Sequence, residues 1–316
     1  MKRISKTLVV IAGLIAVLVL SLPLLGGCDG NGQNGGEEIT TEFSITDDRG
    51  ITFDFEGPVD TIISLAPSNT EIIFFVGAGD KLIGRTEYCN YPEEVSSIES
   101  IGGYWDPDKE RVVILDPDVV LATDIHVSTG DAEWLEDQGL TVVVLAPQDM
   151  DDIMDNIRLV GKLTGNEAVA DQKTAELEAR VDYVFERTAP LDVKPRVLHV
   201  TWHDPLWTVG SDNVLNTVIG MAGGMNIFAD VSGDVQVDIE LAVTRDPQVI
   251  TVIGSHGIDT GSYDFLMAED SPFVETEAYK DGRIFIVDAD MTTRPGPRLV
   301  DILEQFAEFF HPEIFS

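Results

Sequence analysis

Apolar positions in this chain recur with two periods, and the alternation between them lays out most of the secondary structure. Over residues 166–187 the apolar side chains of Ala170, Leu177, Val181, Val184 and Phe185 fall on one helical face, with Asp171, Glu176, Glu178 and Glu186 elsewhere. That is the pattern of a long amphipathic helix. Gly165 and Asn166 start it and Pro190 stops it. At 1.5 Å per residue it runs roughly 33 Å, about the width of a small domain. Its place near the middle of the chain predicts a strut between two lobes; a surface helix on one larger domain is the alternative. The flanking sequence favours the strut. Glu110 is followed by RVVILDPDVVLA and Glu240 by LAVTRDPQVITV, each Glu standing six residues before an Asp-Pro, Asp116-Pro117 and Asp246-Pro247. Each Asp-Pro opens a short β-branched run, so each stretch reads as a helix end, a proline turn and a buried strand. Polar helical segments (131–139 and 271–280) and further strands (140–145 and 283–287) follow, so one βα unit is used once per lobe, offset by 130 residues. Upstream, residues 45–55 predict a hairpin around Asp48-Arg49-Gly50. Residues 62–65 and 82–85 predict buried strands, and between them Pro67-Ser68-Asn69 turns into a helix that ends at Gly77.

The N-terminus changes the picture. Lys2, Arg3 and Lys6 precede an uncharged apolar run, residues 8–25, long enough to span a bilayer. Residues 25–28, Leu-Gly-Gly-Cys, resemble a bacterial lipobox, in which small residues admit the peptidase and the cysteine thiol takes a diacylglycerol. Residues 1–27 are therefore expected to be a lipoprotein leader and residues 28–40 a lipidated Cys28 with a tether that has almost nothing apolar to bury. An N-terminal transmembrane anchor is the alternative. Both readings put the folded part outside the cytoplasm, held at the membrane. Cys28 and Cys89 are the only cysteines; a lipidated Cys28 cannot pair, so no intrachain disulfide is expected. The remainder is expected to divide into an N-terminal lobe (41–162), a bridging helix (163–190) and a C-terminal lobe (191–316). Losing the three positive charges of the leader takes the formal net charge from −36 to −39. Such a chain does not seek nucleic acid or an anionic bilayer, and most of its carboxylates are expected to form a solvated acidic surface suited to salty surroundings.

A specific resemblance begins at residues 61–92, TIISLAPSNTEIIFFVGAGDKLIGRTEYCNYP. This stretch resembles the opening of the substrate-binding proteins of bacterial ABC importers for cobalamin, haem and ferric siderophores: a strand ending in a Ser-Pro-Thr-Glu motif (64–71), a helix, Gly77, a short strand and a Tyr-Pro turn (88–92). The similarity continues through YWDPDKERVVILDPDVVLA, PRVLHVTWHDPLWTVG, AGGMNIF and DADMTTRPGPRLVDIL, and covers nearly all of the mature chain in the expected order. TEYCNYP, KERVVILDPDVV and TRPGPR are most similar to the cobalamin-binding branch. The resemblance implies two α/β lobes bridged by a single long helix, with the ligand cleft between them and no enzymatic activity. It implies a permease dimer with its ATPase as the partner of a monomeric binding protein. A single helix without Pro or Gly permits only limited hinge closure.

Ligands of α/β lobes meet the loops at strand ends. In the first lobe those loops carry Ser68, Asn69, Tyr88, Tyr91, Tyr104 and Trp105; in the second they carry Trp202, His203, Trp207 and Asp290. Aromatics so placed suit the flat, largely apolar face of a corrin or porphyrin. The family match implies ligand-lining positions for Tyr88, Tyr104, Trp207 and Asp290, while Trp105 and Trp202 follow from loop placement; packing is the alternative for each. His203 either caps a metal centre or is solvated. His199 and His203 lie four apart on a strand, roughly 13 Å at that spacing, and His126, His256 and His311 bring no local ligand set, so no metal-ion cage is expected. The family match also implies that Glu110 and Glu240 dock onto arginines of the permease. There is no GxSxG, P-loop, HExxH or dinucleotide fingerprint, which leaves a surface-anchored hydrolase as the rival from another class. No cofactor is expected beyond the transported ligand, a cobalamin or another corrinoid. A siderophore or haem is the rival ligand, and Arg85, Arg294 and Arg298 are the basic residues that could meet its charge.

Overall fold

The computed structural model describes residues 42–254 and 261–315; the expected leader, Cys28 with its tether, and His256 lie outside them. A two-stranded antiparallel hairpin opens the described chain, β1 (Phe43–Thr46) with β2 (Thr52–Phe55). There follow β3 (Ile62–Ser64), α1 (Pro67–Phe75), β4 (Leu82–Arg85), α2 (Lys109–Leu115), β5 (Val119–Ala122), α3 (Asp124–Ser128), α4 (Asp131–Asp137) and β6 (Val142–Val144). Their strands form a parallel sheet in the order β4-β3-β5-β6. Two antiparallel neighbours, α5 (Met150–Thr164) and α6 (Glu167–Thr188), lead out of this lobe.

The second lobe runs through β7 (Arg196–Val200), β8 (Trp202–His203), β9 (Leu206–Val209), α7 (Val214–Met221), β10 (Met225–Asn226), β11 (Asp234–Gln236), α8 (Ile239–Thr244), β12 (Val249–Gly254), α9 (Ser262–Met267), α10 (Glu277–Lys280), β13 (Ile284–Asp288), α11 (Ala289–Thr293) and α12 (Leu299–Phe310). Its parallel sheet has the order β10-β7-β12-β13. In each lobe the strand entering the sheet second lies outside the first, and the third and fourth continue on the other side. The two sheets therefore share one topology.

The repeat read from the sequence is repeated in backbone geometry. Asp108 caps α2 by accepting from the Arg111 N–H, and Asp238 caps α8 by accepting from those of Glu240 and Leu241. Both helices lead to an Asp in the left-handed region, Asp116 at φ 47° and Asp246 at φ 48°. Asp is one of the few non-glycine residues that visit this region, and the proline after it cannot continue a helix.

Helix α6 buries Ala170, Thr174, Leu177, Val184 and Thr188. Phe185, expected on the same face, is 48 % exposed; the helical period carries the stripe from 177 through 181 and 184 to 188 and passes it by. The two threonines complete the stripe because their hydroxyls bond within the structure, Thr174 to the Ala170 carbonyl at 2.6 Å and Thr188 to that of Met221 at 2.5 Å. One buried apolar cluster runs from the first lobe through α5 and α6 to α7 and α12 of the second, whereas the far side of each sheet has a cluster of its own. The lobes are thus joined by a shared core as well as by a helix.

Two further expectations from the sequence need correction. Only residues 277–280 of the 271–280 segment are helical; Ser271, Phe273 and Thr276 are buried in the turns before them. Trp202, His203 and Trp207 are not in loops, because β8, β9 and β11 form a separate antiparallel sheet in the order β11-β9-β8. Strands of two to four residues are too short to carry a readable alternation.

Candidate functional site

A cleft of about 820 Å³ lies between the lobes, toward the upper end of the range for pockets that hold drug-sized ligands. The first lobe lines it with the start of α1 (Pro67 and Ser68), the aromatics Tyr88, Tyr104 and Trp105, the start of α3, and the loop after β6. These aromatics are packed edge to face. Tyr104 meets Trp105 at 4.8 Å and 83°, and Trp105 meets Tyr88 at 5.9 Å and 82°, the arrangement that ring quadrupoles favour. Behind them His126 holds Tyr104: its Nδ1 accepts from the Thr123 backbone N–H at 3.2 Å, which leaves Nε2 to donate to the Tyr104 carbonyl at 3.0 Å. Burial lowers the His126 pKa, so this imidazole stays neutral, and burial likewise raises that of the Tyr104 hydroxyl, which lies 3.3 Å from Thr123 Oγ1.

The second lobe presents the face of a sheet. Val209 of β9 pairs with Asp234 of β11, and both line the cleft. Trp207 stands two residues from Val209 and pairs with Gln236 and Trp202, so strand alternation puts Trp207 and Trp202 on that same face, farther out. The remaining lining comes from the end of β7, the Asp212–Asn213 turn that caps α7, and α11 with the loop after it.

An ion-pair network ties the lobes together beside the cleft. Glu71 of α1, with only 3 % of its side chain exposed, accepts from Arg294 at 3.1 Å and from Arg298 at 2.5 and 2.8 Å. Arg294 also reaches Asp290 at 2.7 Å, Asn90 at 2.7 Å and the Tyr88 carbonyl at 3.3 Å. Asn90 donates to Asp290 at 2.8 Å, and the Arg298 guanidinium covers the Tyr91 ring at 4.2 Å. The network has an electrostatic consequence for the cleft. Asp124, Asp212, Asp234 and Asp290 line it, and among the described residues Arg294 is the one basic lining residue, its charge already shared between Glu71 and Asp290. Burial raises the Asp234 carboxyl, the Asn213 hydrogen bond opposes this, and nearby Asp212 adds to it. Arg85 donates instead to the carbonyls of Val95, Thr86 and Ser96.

Two α/β lobes of repeated topology, one joining helix and a cleft between them are matched in sequence as well: residues 62–291 fit the periplasmic binding protein family. The chain belongs to that family. An uncharacterized ABC transporter substrate-binding lipoprotein of Bacillus subtilis is 31 % identical over 316 aligned residues, covering 96 % of this chain and 98 % of the relative. A vitamin B12-binding protein of Vibrio vulnificus is 29 % identical, covering 80 % of this chain and 90 % of the relative. Among solved structures, the periplasmic vitamin B12-binding protein of Vibrio cholerae superposes with a TM-score of 0.70 at 27 % identity, over 80 % of this chain and 96 % of that one. A periplasmic heme-binding protein of Pseudomonas aeruginosa shares the fold, with a TM-score of 0.72 at 22 % identity over 81 % and 94 % of the two chains. This periplasmic binding protein is accordingly a non-catalytic ABC importer component that works with a permease and an ATPase on a small-molecule ligand outside the cytoplasm.

Of the residues singled out from the sequence, Ser68, Tyr88, Tyr104, Trp105 and Asp290 come together on the cleft wall of this binding protein. Trp202 and Trp207 flank the wall on its sheet. Asn69 lies off it: the side chain is buried and donates to the Ala122 carbonyl at 3.0 Å, locking α1 to β5. His203 is also elsewhere, its Nδ1 2.9 Å from Ser262 Oγ and its ring 5.1 Å from Phe265 of α9. No cluster of metal-ligating side chains is found among the described residues. The sequence did not point to His199, Asp212, Asn213, Asp234 or Gln148, all on the wall. Asn213 alone carried a local signal, as an Asn before an apolar helical run.

Proposed function

We propose that this binding protein captures a corrinoid, cobalamin or a close relative, and hands it to its importer. One observation carries the reading: beside its aromatic wall, the uncommitted charged groups of the cleft among the described residues are carboxylates, and the one guanidinium there is already paired with Glu71 and Asp290. Such a wall accepts hydrogen bonds. It suits the carboxamide N–H groups at the periphery of a corrin, whereas the carboxylates of haem or the negative charge of many ferric siderophores lack a free counter-charge there. The vitamin B12-binding relatives support the same choice. Titration calorimetry of the purified protein against cyanocobalamin, haemin and a ferric hydroxamate tests it. The expected result is one-to-one binding of cyanocobalamin with a Kd of about 1 μM or tighter, near −8 kcal/mol. Binding of another of the three with none of cyanocobalamin would overturn the corrinoid assignment.

The delivery step rests on Glu110 and Glu240. Each is the second residue of a short helix capped by an Asp, each is exposed, and neither forms an ion pair among the described residues. A carboxylate there gains only about 0.3–1 kcal/mol from the helix dipole, and its recurrence on both lobes supports a two-point docking surface for permease arginines. Replacing both with Ala is expected to leave ligand affinity and melting temperature unchanged while abolishing uptake by cells. Normal uptake by that double variant would remove the assignment. Lipidation of Cys28 is tested separately: Cys28→Ala should abolish incorporation of a labelled fatty acid into the protein.

A further inference from the structure

A buried histidine of the second lobe lines the cleft and one of the first lobe stands behind the lining Tyr104, and the two differ in how their nitrogens are met. His126 uses both, as described above. His199 stands on β7 with no exposed surface, its Nδ1 2.9 Å from Thr251 Oγ1 on the neighbouring strand β12. Its Nε2 finds no hydrogen-bond partner among the described residues, although the residue lines the cleft. A buried polar nitrogen left unmet is costly and uncommon, and calls for a partner supplied from outside the chain.

We propose that His199 is the floor of a subsite in the second-lobe wall that receives a neutral hydrogen-bonding arm of the ligand, a primary carboxamide under the corrinoid reading on which this rests. The chemistry of the surroundings selects that arm. Burial holds the imidazole pKa at about 3, so the ring is neutral and attracts no anion. Asp212 and Asp234 line the same wall with one oxygen each engaged, by the Gly233 N–H and by Asn213 Nδ2 respectively. A carboxylate arm would meet those two carboxylates. A carboxamide can donate to one of them through its N–H while it meets His199. It also fits either imidazole tautomer: if the Thr251 hydroxyl donates to Nδ1, Nε2–H bonds the amide oxygen, and if it accepts, Nε2 takes an amide N–H. A polar contact made away from bulk water is one whose loss discriminates strongly between ligands.

Replacing both partners by apolar residues of similar shape, His199→Leu with Thr251→Val, removes the pair without leaving a hydroxyl unmet. The ligand-free double variant is expected to melt at or above the wild-type temperature and to bind cyanocobalamin about tenfold more weakly. Unchanged affinity would overturn the subsite and assign the nitrogen to a buried water. A second measurement stands independently of that variant and of the ligand's identity. In the full-length wild-type protein labelled with ¹⁵N-histidine, the His199 Nε2 resonance should shift on titration with acetamide and not with sodium acetate at equal ionic strength. No response to acetamide, or an equal response to acetate, would overturn the proposal. If wild type instead binds haemin or the ferric hydroxamate, the corrinoid reading falls while the acetamide result still decides the subsite.

Discussion

The first lobe lines the cleft with loops and helix starts, the second with the face of an added sheet. The parallel sheets beneath have one topology, and the helix–aspartate–proline–strand unit is repeated down to a φ of 47° against 48°. The lobes diverge directly after their first strands. In the first lobe β3 runs straight into α1, whereas in the second β7 is followed by the β8–β9 hairpin, which later pairs with β11. What is duplicated carries the framework and the two outward glutamates. What is not duplicated makes the two walls unlike, one of interlocked rings and one of carboxylates and small side chains flanked by separate tryptophans. A repeated scaffold thus keeps two equivalent outer faces while the lining of its cleft diverges.

The largest expected effect contrasts His199 with His126. The His199 pKa falls from 6.5 in the unfolded chain to about 3 in the fold. The unfolded state therefore binds the extra proton between those values, so this contribution to stability is intact above about pH 6.5 and is lost as pH falls toward 3. At about 1.4 kcal/mol per pH unit, the loss approaches roughly 5 kcal/mol. Burial shifts His126 in the same direction. Denaturant midpoints measured from pH 7 to pH 4 should fall for wild type and fall less for the His199→Leu, Thr251→Val variant; equal slopes would remove His199 from the account.

Next in size is the interlobe network. Glu71→Ala leaves Arg294 and Arg298 facing each other without their shared carboxylate, and breaking a buried pair from one side costs about 3–5 kcal/mol. Urea unfolding is expected to show it, together with weaker ligand binding, because Tyr88 and Asp290 are held by Arg294. A loss below about 1 kcal/mol, the level of an exposed pair, would mean that the lobes are positioned by their shared core alone.

The walls themselves come third. Tyr104→Ala and Trp207→Ala should each weaken cyanocobalamin binding by about 1–3 kcal/mol. Their stabilities should differ, since Tyr104 touches Trp105, His126 and Thr123 while Trp207 projects from a sheet. Calorimetric titration paired with thermal melting reads both, and the comparison fails if Trp207→Ala melts earlier than Tyr104→Ala.

The smallest effect probes the repeat. Asp246 accepts from the Glu277 N–H at 3.0 Å and pairs with Arg196 at 3.0 Å, and no such side-chain bond engages Asp116 among the described residues. Asp116→Gly, which relieves a left-handed residue, should be neutral or stabilising within about 1 kcal/mol. Asp246→Gly should destabilise because it also loses those bonds. Equal midpoints for the two variants would show that the copies are energetically equivalent.

Local signals in this chain were legible because local physics fixes them. Residues 167–188 form a helix through their own periodicity, the Asp-Pro turns act within a few residues, and the repeat of Glu110 and Glu240 six residues before those turns disclosed two lobes; the aspartate caps that start the same helices came to light only in the structure. The ordered motifs likewise disclosed the family. Tertiary structure decided what depends on residues distant in sequence. Glu71 meets Arg294 and Arg298 across 223 and 227 positions, so basic residues that seemed free for a ligand are spent between the lobes. Trp202 and Trp207 came to flank the wall only through the pairing of β8, β9 and β11, and Asn69 left it because the Ala122 carbonyl claimed its amide. The unmet nitrogen of His199 is the extreme case. Whether a buried imidazole is satisfied depends on the strands beside it, and no spacing along the chain encodes that.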